Sequence, residues 1–250
     1  MKPLILMLSL FAIASCKDSK PLKKEALFAK EMVLLVNYEL DSISLEDHAL
    51  LGAAVAPNFV ADSIPGLLGK SFIGNVTSGT FGGVYYFSSE AAVTSYLSSD
   101  LWKGIVAHPN LVNFKTDIFQ TFEGSALAGG EHATRKTSSN PEDATELHVL
   151  VVHFKSEDSA STISTSIKES AASFNNEKFP GLIGKTFISK EKDSTFGGVY
   201  YFENAAAIDA YLATDFWKGF ENSSGIEVFK KDRYGVASIS AISNGIPVQD

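Results

Sequence analysis

Two polar side chains interrupt otherwise apolar runs at matching places in the chain: Asn37 within Met32–Tyr38 and His153 within Val149–Phe154. A buried amide or imidazole must find a hydrogen-bond partner. Set in a cavity, it can hold or move a substrate proton, which is general acid/base chemistry, so these two are the candidate catalytic residues. The candidate pocket residues are Trp102, Trp217, Tyr86, Tyr201 and His108, each an aromatic surface with a polar edge that can line a ligand pocket. Each has a plainer reading. A lone buried His or Asn is more often a satisfied core residue than a catalyst, and tryptophans more often pack a core or its rim. Side chains alternate across a strand, so at most one of Tyr85 and Tyr86, and one of Tyr200 and Tyr201, can enter a given cavity.

Other chemistries find less support. His148 and His153 are five apart on a strand and face opposite ways, so they cannot chelate one metal as neighbours. No cysteine pair or His-Glu motif suggests zinc or iron. Gly82-Gly83 lies within a strand and opens no helix that could hold phosphate, and no nucleophile elbow is present. The formal net charge is −8, and the only arginines are Arg135 and Arg233, so nucleic-acid binding lacks its clustered cations. The same charge disfavours electrostatic docking to anionic lipid.

Membrane attachment is expected from the N-terminus instead. Met1-Lys2 is a short positive start, Leu4 to Ile13 is apolar, and Ala14-Ser15 precede Cys16, the chain's sole cysteine. This is the layout of a secretory signal, too short to span a bilayer. Ile13-Ala14-Ser15-Cys16 resembles the bacterial lipobox, which implies cleavage before Cys16 and acylation of its thiol. Residues 1–15 are then the signal peptide and 16–29 a polar tether. The expected location is the cell envelope, lipid-anchored and facing the outer membrane or periplasm. With Cys16 consumed no disulfide is possible, and stability must come from core burial.

The elements that must position the candidates come in two copies. Pro65-Gly66-Leu67 returns as Pro180-Gly181-Leu182, Gly69-Lys70 as Gly184-Lys185, Thr80 to Phe87 unchanged as Thr195 to Phe202, and Trp102-Lys103-Gly104 as Trp217-Lys218-Gly219, all 115 positions apart. The first strands align only after a one-residue shift that pairs Asn37 with His153, with a compensating gap expected in the following helix. Residues 30–122 form the first repeat and 145–250 the second, with a C-terminal tail. Residues 123–144, rich in Gly, Ser, Ala and Thr, read as a linker. Each repeat reads β-α-β-β-α-β: a buried strand, a helix from Ser44 capped with Asp47, a hairpin turning at 75–79, a helix opened at Ser88, and a last strand. This split-βαβ order is the ferredoxin-like motif. A sheet with helices on one face needs cover on the other. The expected fold is therefore α+β, with two tandem ferredoxin-like repeats packed as an intramolecular α+β barrel, a monomer that mimics a dimer.

From Pro65 or Pro180 onward, Pro-Gly-Leu, Gly-Gly-Val-Tyr-Tyr-Phe and Ala-x-x-x-Tyr-Leu resemble the YdhR monooxygenase family. That family belongs to the dimeric α+β-barrel superfamily, with the antibiotic-biosynthesis and quinol monooxygenases. Its pattern places a histidine just past Tyr-Leu, where Asp100 and Asp215 stand here. The resemblance implies oxidation of a small hydrophobic or phenolic compound without a cofactor, the substrate's own electrons reducing O₂ in a dry aromatic-walled pocket. Two alternatives stay open. One is a non-catalytic ligand-binding or stress-related lipoprotein. The other is a haem-binding or haem-degrading protein, for which Asn37, Trp102 and His108 supply the residue types seen together in such relatives.

Overall fold

In each repeat, strands that are apolar on both faces must be covered twice, once by helices and once by the other repeat. The computed structural model describes residues 28–132 and 136–249. The first repeat runs β1 (Phe28–Leu40), α1 (Leu45–Val55), β2 (Leu67–Asn75), β3 (Thr80–Phe87), α2 (Glu90–Ser98), α3 (Asp100–Val106) and β4 (Leu111–Phe122). A short strand β5 (Thr137–Ser138) follows. The second repeat runs β6 (His148–Ser156), α4 (Ala160–Ser170), β7 (Leu182–Lys190), β8 (Thr195–Phe202), α5 (Ala205–Ala213), α6 (Asp215–Glu221) and β9 (Ile226–Val236), with β10 (Ile246–Pro247) in the tail.

Eight strands close into a barrel in the order β1-β3-β2-β9-β6-β8-β7-β4. Within a repeat the pairing is long and antiparallel. The repeats meet at two short seams, Ile73↔Val236 with Gly74↔Gly235, and Gln120↔Ser189 with Thr121↔Ile188. Closure leaves no free sheet edge. Three cores follow: one inside the barrel, from Val33 and Leu35 to Val149, Val151 and Tyr234, and one between each repeat's sheet and its own helices.

The repeated glycines have steric reasons. A Cβ at Gly82 would lie 1.8 Å from the Val36 carbonyl oxygen, and one at Gly197 2.1 Å from that of Val152. The β1–β3 and β6–β8 pairs therefore close only around glycine. Ser44 caps α1 by accepting from the Asp47 N–H at 3.0 Å, as the capping pattern implies. The second helix begins from Ser89, one residue later than the sequence implies, and breaks at Ser99, so that Trp102 sits in a separate short helix, α3.

The one-residue offset between the copies falls before the helix, not inside it. Both first helices keep the 115 spacing, Leu45–Val55 against Ala160–Ser170, while Asn37 and His153 pair with the equivalent glycines Gly82 and Gly197. The extra residue lies in the loop at 41–43, where Ser42 adopts φ 56°. A loop absorbs such a residue without rotating a helix face.

The described residues of the stretch 123–144 make specific contacts rather than forming a bare linker. Its 3₁₀ turn Glu123–Ala128 corresponds to Ser238–Ser243 in the tail, and each crosses to the other repeat. The Phe187 N–H donates to Ser125 Oγ at 2.9 Å, and the Phe72 N–H to Ser240 Oγ at 2.9 Å. β5 then pairs with β10, joining the connection to the tail. No helix among the described residues is long and apolar enough to cross a membrane.

Candidate functional site

The two helix–sheet layers share one design and differ in filling. Between α1, α3 and the first sheet lies a cavity of about 670 Å³, against about 220 Å³ at the equivalent place in the second repeat. Side-chain size explains the difference. Where the first repeat has His48, Gly52, Leu101 and Ile105, the second has Ile163, Ile167, Phe216 and Phe220. Accordingly α4 buries Ile163 and Ile167, whereas α1 buries none of its residues and leaves Leu45 and Leu50 at least half exposed. The crossing segments match: a Cβ on Gly52 would sit 3.1 Å from Ile239 Cδ1, while in the second repeat Gly124 makes room for Ile167.

The larger cavity carries a polar pair that the smaller one lacks. Tyr38 Oη and His48 Nε2 are 2.8 Å apart, and the His48 ring packs edge-on against Phe81 at 4.8 Å. Phe154 and Ile163 stand at the corresponding positions of the second repeat. Burial lowers the His48 pKa, keeping the ring neutral at neutral pH, and raises Tyr38 to about 12, keeping its hydroxyl protonated. A neutral imidazole bonded to a protonated phenol can take a proton that arrives at the phenol oxygen.

Both cavities also contain a buried lysine. Lys70 Nζ lies 3.3 Å from the Phe59 ring centroid, 3.7 Å from Phe72 and 4.6 Å from Tyr85. Lys185 Nζ repeats this at 3.7, 4.0 and 4.5 Å from Phe174, Phe187 and Tyr200. Neither is among the ion pairs of the described residues. Burial pushes both amines well below the usual lysine range. The three ring faces oppose this by about 0.5–2 kcal/mol each, against the several kcal/mol that dehydrating an ammonium costs, and burial sets the direction. Gly83 and Gly198 are the floor for these side chains, with the lysine Cε 3.0 Å from where each glycine's Cβ would be.

The residues expected to share one pocket are divided between two faces of the sheet. Asn37 and His153 point into the barrel, away from the helix–sheet cavities. Asn37 bonds the Tyr234 hydroxyl, leaving its Oδ1 buried and unpartnered. His153 lies between Phe119 and Phe229 at the wall of a separate opening of about 600 Å³ at the barrel's end. Tyr86 and Tyr201 also face the barrel: Tyr86 Oη is 3.3 Å from Thr186 Oγ1 and Tyr201 Oη 2.7 Å from Ser71 Oγ, so each pins one repeat to the other. Trp217 is fully buried core, donating from Nε1 to Glu221 Oε2 at 3.1 Å.

Trp102 and His108 do line the large cavity, and Asp100 stands at its edge, exposed and paired with Lys103 at 3.3 Å. Asn37 lies across the sheet from both. The trio considered for haem does not converge, and His48 Nε2 is already engaged by Tyr38, so these residues do not fit that group. Among the described residues no group of three or more His, Cys, Asp or Glu side chains could hold a metal ion. Cys16 and the signal lie outside the described residues.

Tyr38, His48 and Lys70 were not among the expected site residues. For the lysine a signal existed: it recurs at the 115 offset within a strand whose neighbours are apolar, an unusual place for a residue that rarely is buried alone. His48 was hidden by the gap expected in its helix, which broke its alignment with Ile163.

The fold is a tandem α+β barrel with a larger helix–sheet cavity in the first repeat and a smaller one in the second. Residues 149–246, within the second repeat, match the family described as Putative mono-oxygenase ydhR. No curated protein matches it by sequence. Among solved structures it is similar to a putative monooxygenase from Fusobacterium nucleatum, at 8% identity over 84% of this chain and 93% of the other, TM-score 0.57. It is also similar to a putative monooxygenase from Lactobacillus acidophilus, at 15% identity over 88% and 100%, TM-score 0.53. A putative chlorite dismutase matches at 11% identity over 85% and 97%, TM-score 0.57. At these identities the likeness is one of fold, and it spans both repeats.

Proposed function

We propose that the first repeat houses the working site, and that the chain is a cofactor-independent monooxygenase for a small hydrophobic or phenolic compound bound in the 670 Å³ cavity. The observation that carries this is the Tyr38–His48 hydrogen bond, a proton-handling pair on the wall of the large cavity and absent from the small one. Tyr38 would receive the substrate's proton while passing its own to neutral His48, and the apolar walls would keep water from the electron-rich anion. That anion's electrons reduce O₂, one oxygen atom entering the product and the other leaving as water. The family match supports the reaction class.

The test is oxygen consumption by metal-free protein offered quinols and polycyclic phenols. Replacing His48 by Ile, its counterpart in the second repeat, is expected to slow turnover by about 10²- to 10⁴-fold while leaving the melting temperature nearly unchanged. An equal loss of stability and activity, or no loss of activity, would count against the assignment. If nothing turns over yet such ligands raise the melting temperature, the chain is a binding protein.

The same reading places the protein in the cell envelope as a monomer anchored through lipidated Cys16, for which the lipobox-like Ile13–Cys16 is the support. A Cys16→Ser variant should remain unprocessed and take up no radiolabelled fatty acid.

A further inference from the structure

We propose that Lys70 is a carbonyl-capturing amine, binding an apolar aldehyde or ketone in the large cavity as an imine. The inference rests on the reading of this cavity as the ligand site, and adds a covalent step at a residue that the oxygenation chemistry does not use.

Three observations carry it. Lys70 lines the mostly apolar cavity of about 670 Å³. Its amine is caged by Phe59, Phe72 and Tyr85, with Nζ between 3.3 and 4.6 Å from their ring centroids. It also has no ion pair among the described residues to hold it protonated. A lysine desolvated in an apolar pocket is the form in which this side chain acts as a nucleophile. Surface lysines, protonated and hydrated, are poor nucleophiles at neutral pH.

In the step itself, the nitrogen lone pair attacks the carbonyl carbon, both amine hydrogens leave with the carbonyl oxygen as water, and a C=N bond remains. No oxidant or reductant is needed. Aryl aldehydes and ketones fit best, since the walls that would receive the rest of the ligand include Trp102, Tyr38 and Val36. Lys185 is an internal control. It has the same cage but only about 220 Å³ of space, into which Phe216 and Phe220 project.

The experiment treats the full chain at pH 7 with 2-naphthaldehyde and cyanoborohydride, which reduces an imine to a stable secondary amine, and maps the adduct by peptide mass spectrometry. The expected result is one naphthylmethyl group on Lys70, formed at least tenfold faster than on Lys185 or on exposed lysines such as Lys103. An excess of 2-naphthol, which has the same shape without the carbonyl, should protect Lys70. A Lys70→Met variant should lose the fast adduct. Should that variant fail to fold, the wild-type comparison of Lys70 with Lys185 still decides. Labelling spread evenly over surface lysines, with 2-naphthol nonetheless binding and raising the melting temperature, overturns the lysine proposal and leaves the cavity reading standing. Neither labelling nor 2-naphthol binding removes both.

Discussion

The His153 imidazole lies between the Phe119 and Phe229 rings, 4.9 and 6.0 Å away, with Nε2 buried and unpartnered. Burial first, and then the Lys230 ammonium, lowers its pKa to about 4, with the Asp117 and Asp232 carboxylates pulling the other way. In the unfolded chain it titrates near 6.5, so between those values the unfolded state binds more protons than the folded one. Stability is therefore full above about pH 6.5 and falls as pH drops toward 4, by about 3 kcal/mol in total. Replacement of His153 by Leu removes both that titration and a buried polar atom without a partner. The variant should be no less stable than wild type at pH 7 and should hold its midpoint in urea better at pH 4.5. Denaturation curves at the two pH values check this. A larger acid loss in the variant would mean that His153 has a partner worth more than its burial costs. The equivalent Asn37 is half satisfied by Tyr234 and cannot titrate, so the repeats differ in acid response at this one pair of positions.

Among the elements, α1 and α4 show how one scaffold can be open in one copy and filled in the other. The difference lies in four side chains and in the crossing segments, where Ile239 faces Gly52 and Gly124 faces Ile167. Gly52→Ile alone would collide with Ile239. Combined with Ile239→Gly it rebuilds the arrangement of the second repeat. The double variant is expected to keep the fold, to lose binding of naphthol-sized ligands by at least about tenfold, and to be more stable than Gly52→Ile alone, since contacting residues couple by about 0.5–3 kcal/mol. Ligand titration and thermal melts of the two single variants and the double one give the coupling directly. Much of the scaffold was legible in the residues: the offset of 115 gave the duplication, the β-α-β-β-α-β order gave the sheet, and the uncovered sheet face implied a barrel. The site was less so. Alternation told that one tyrosine of each pair faces each side, but nothing local told which side holds the cavity. Tyr86 and Tyr201 are in the barrel, and Tyr85 and Tyr200 are beside the lysines. Cavity volume depends on residues four elements apart, and no single stretch of sequence contains it.

At the scale of the whole molecule, neither repeat is complete alone. Each sends the segment after its last strand across to the other: Ser125 and Gly130 serve β7, while Ser240 and Gly245 serve β2. The approach is close. A Cβ on Gly245 would lie 1.9 Å from the Lys70 carbonyl oxygen, and one on Gly130 1.7 Å from that of Lys185. Each repeat thus fixes the strand that presents the other's caged lysine. A chain of residues 146–250 would expose Val149, Val151, Tyr201 and Tyr234, bare both sheet edges, and leave its tail without β2 to hold. The tail residues Ser240 and Gly245 are equivalent to Ser125 and Gly130, and β7 is the equivalent of β2, so a second copy of the same half can offer the tail a near-native seat. The half chain should therefore form a homodimer that exchanges tails through an isologous interface, or aggregate if the exchange is slow. Light scattering coupled to size exclusion distinguishes these states, and removal of residues 238–250 should shift the dimer toward aggregate. A soluble, cooperatively folding monomer of the half chain would mean that the barrel interior is not what holds each sheet, and the reading of the molecule as one cooperative unit would fail.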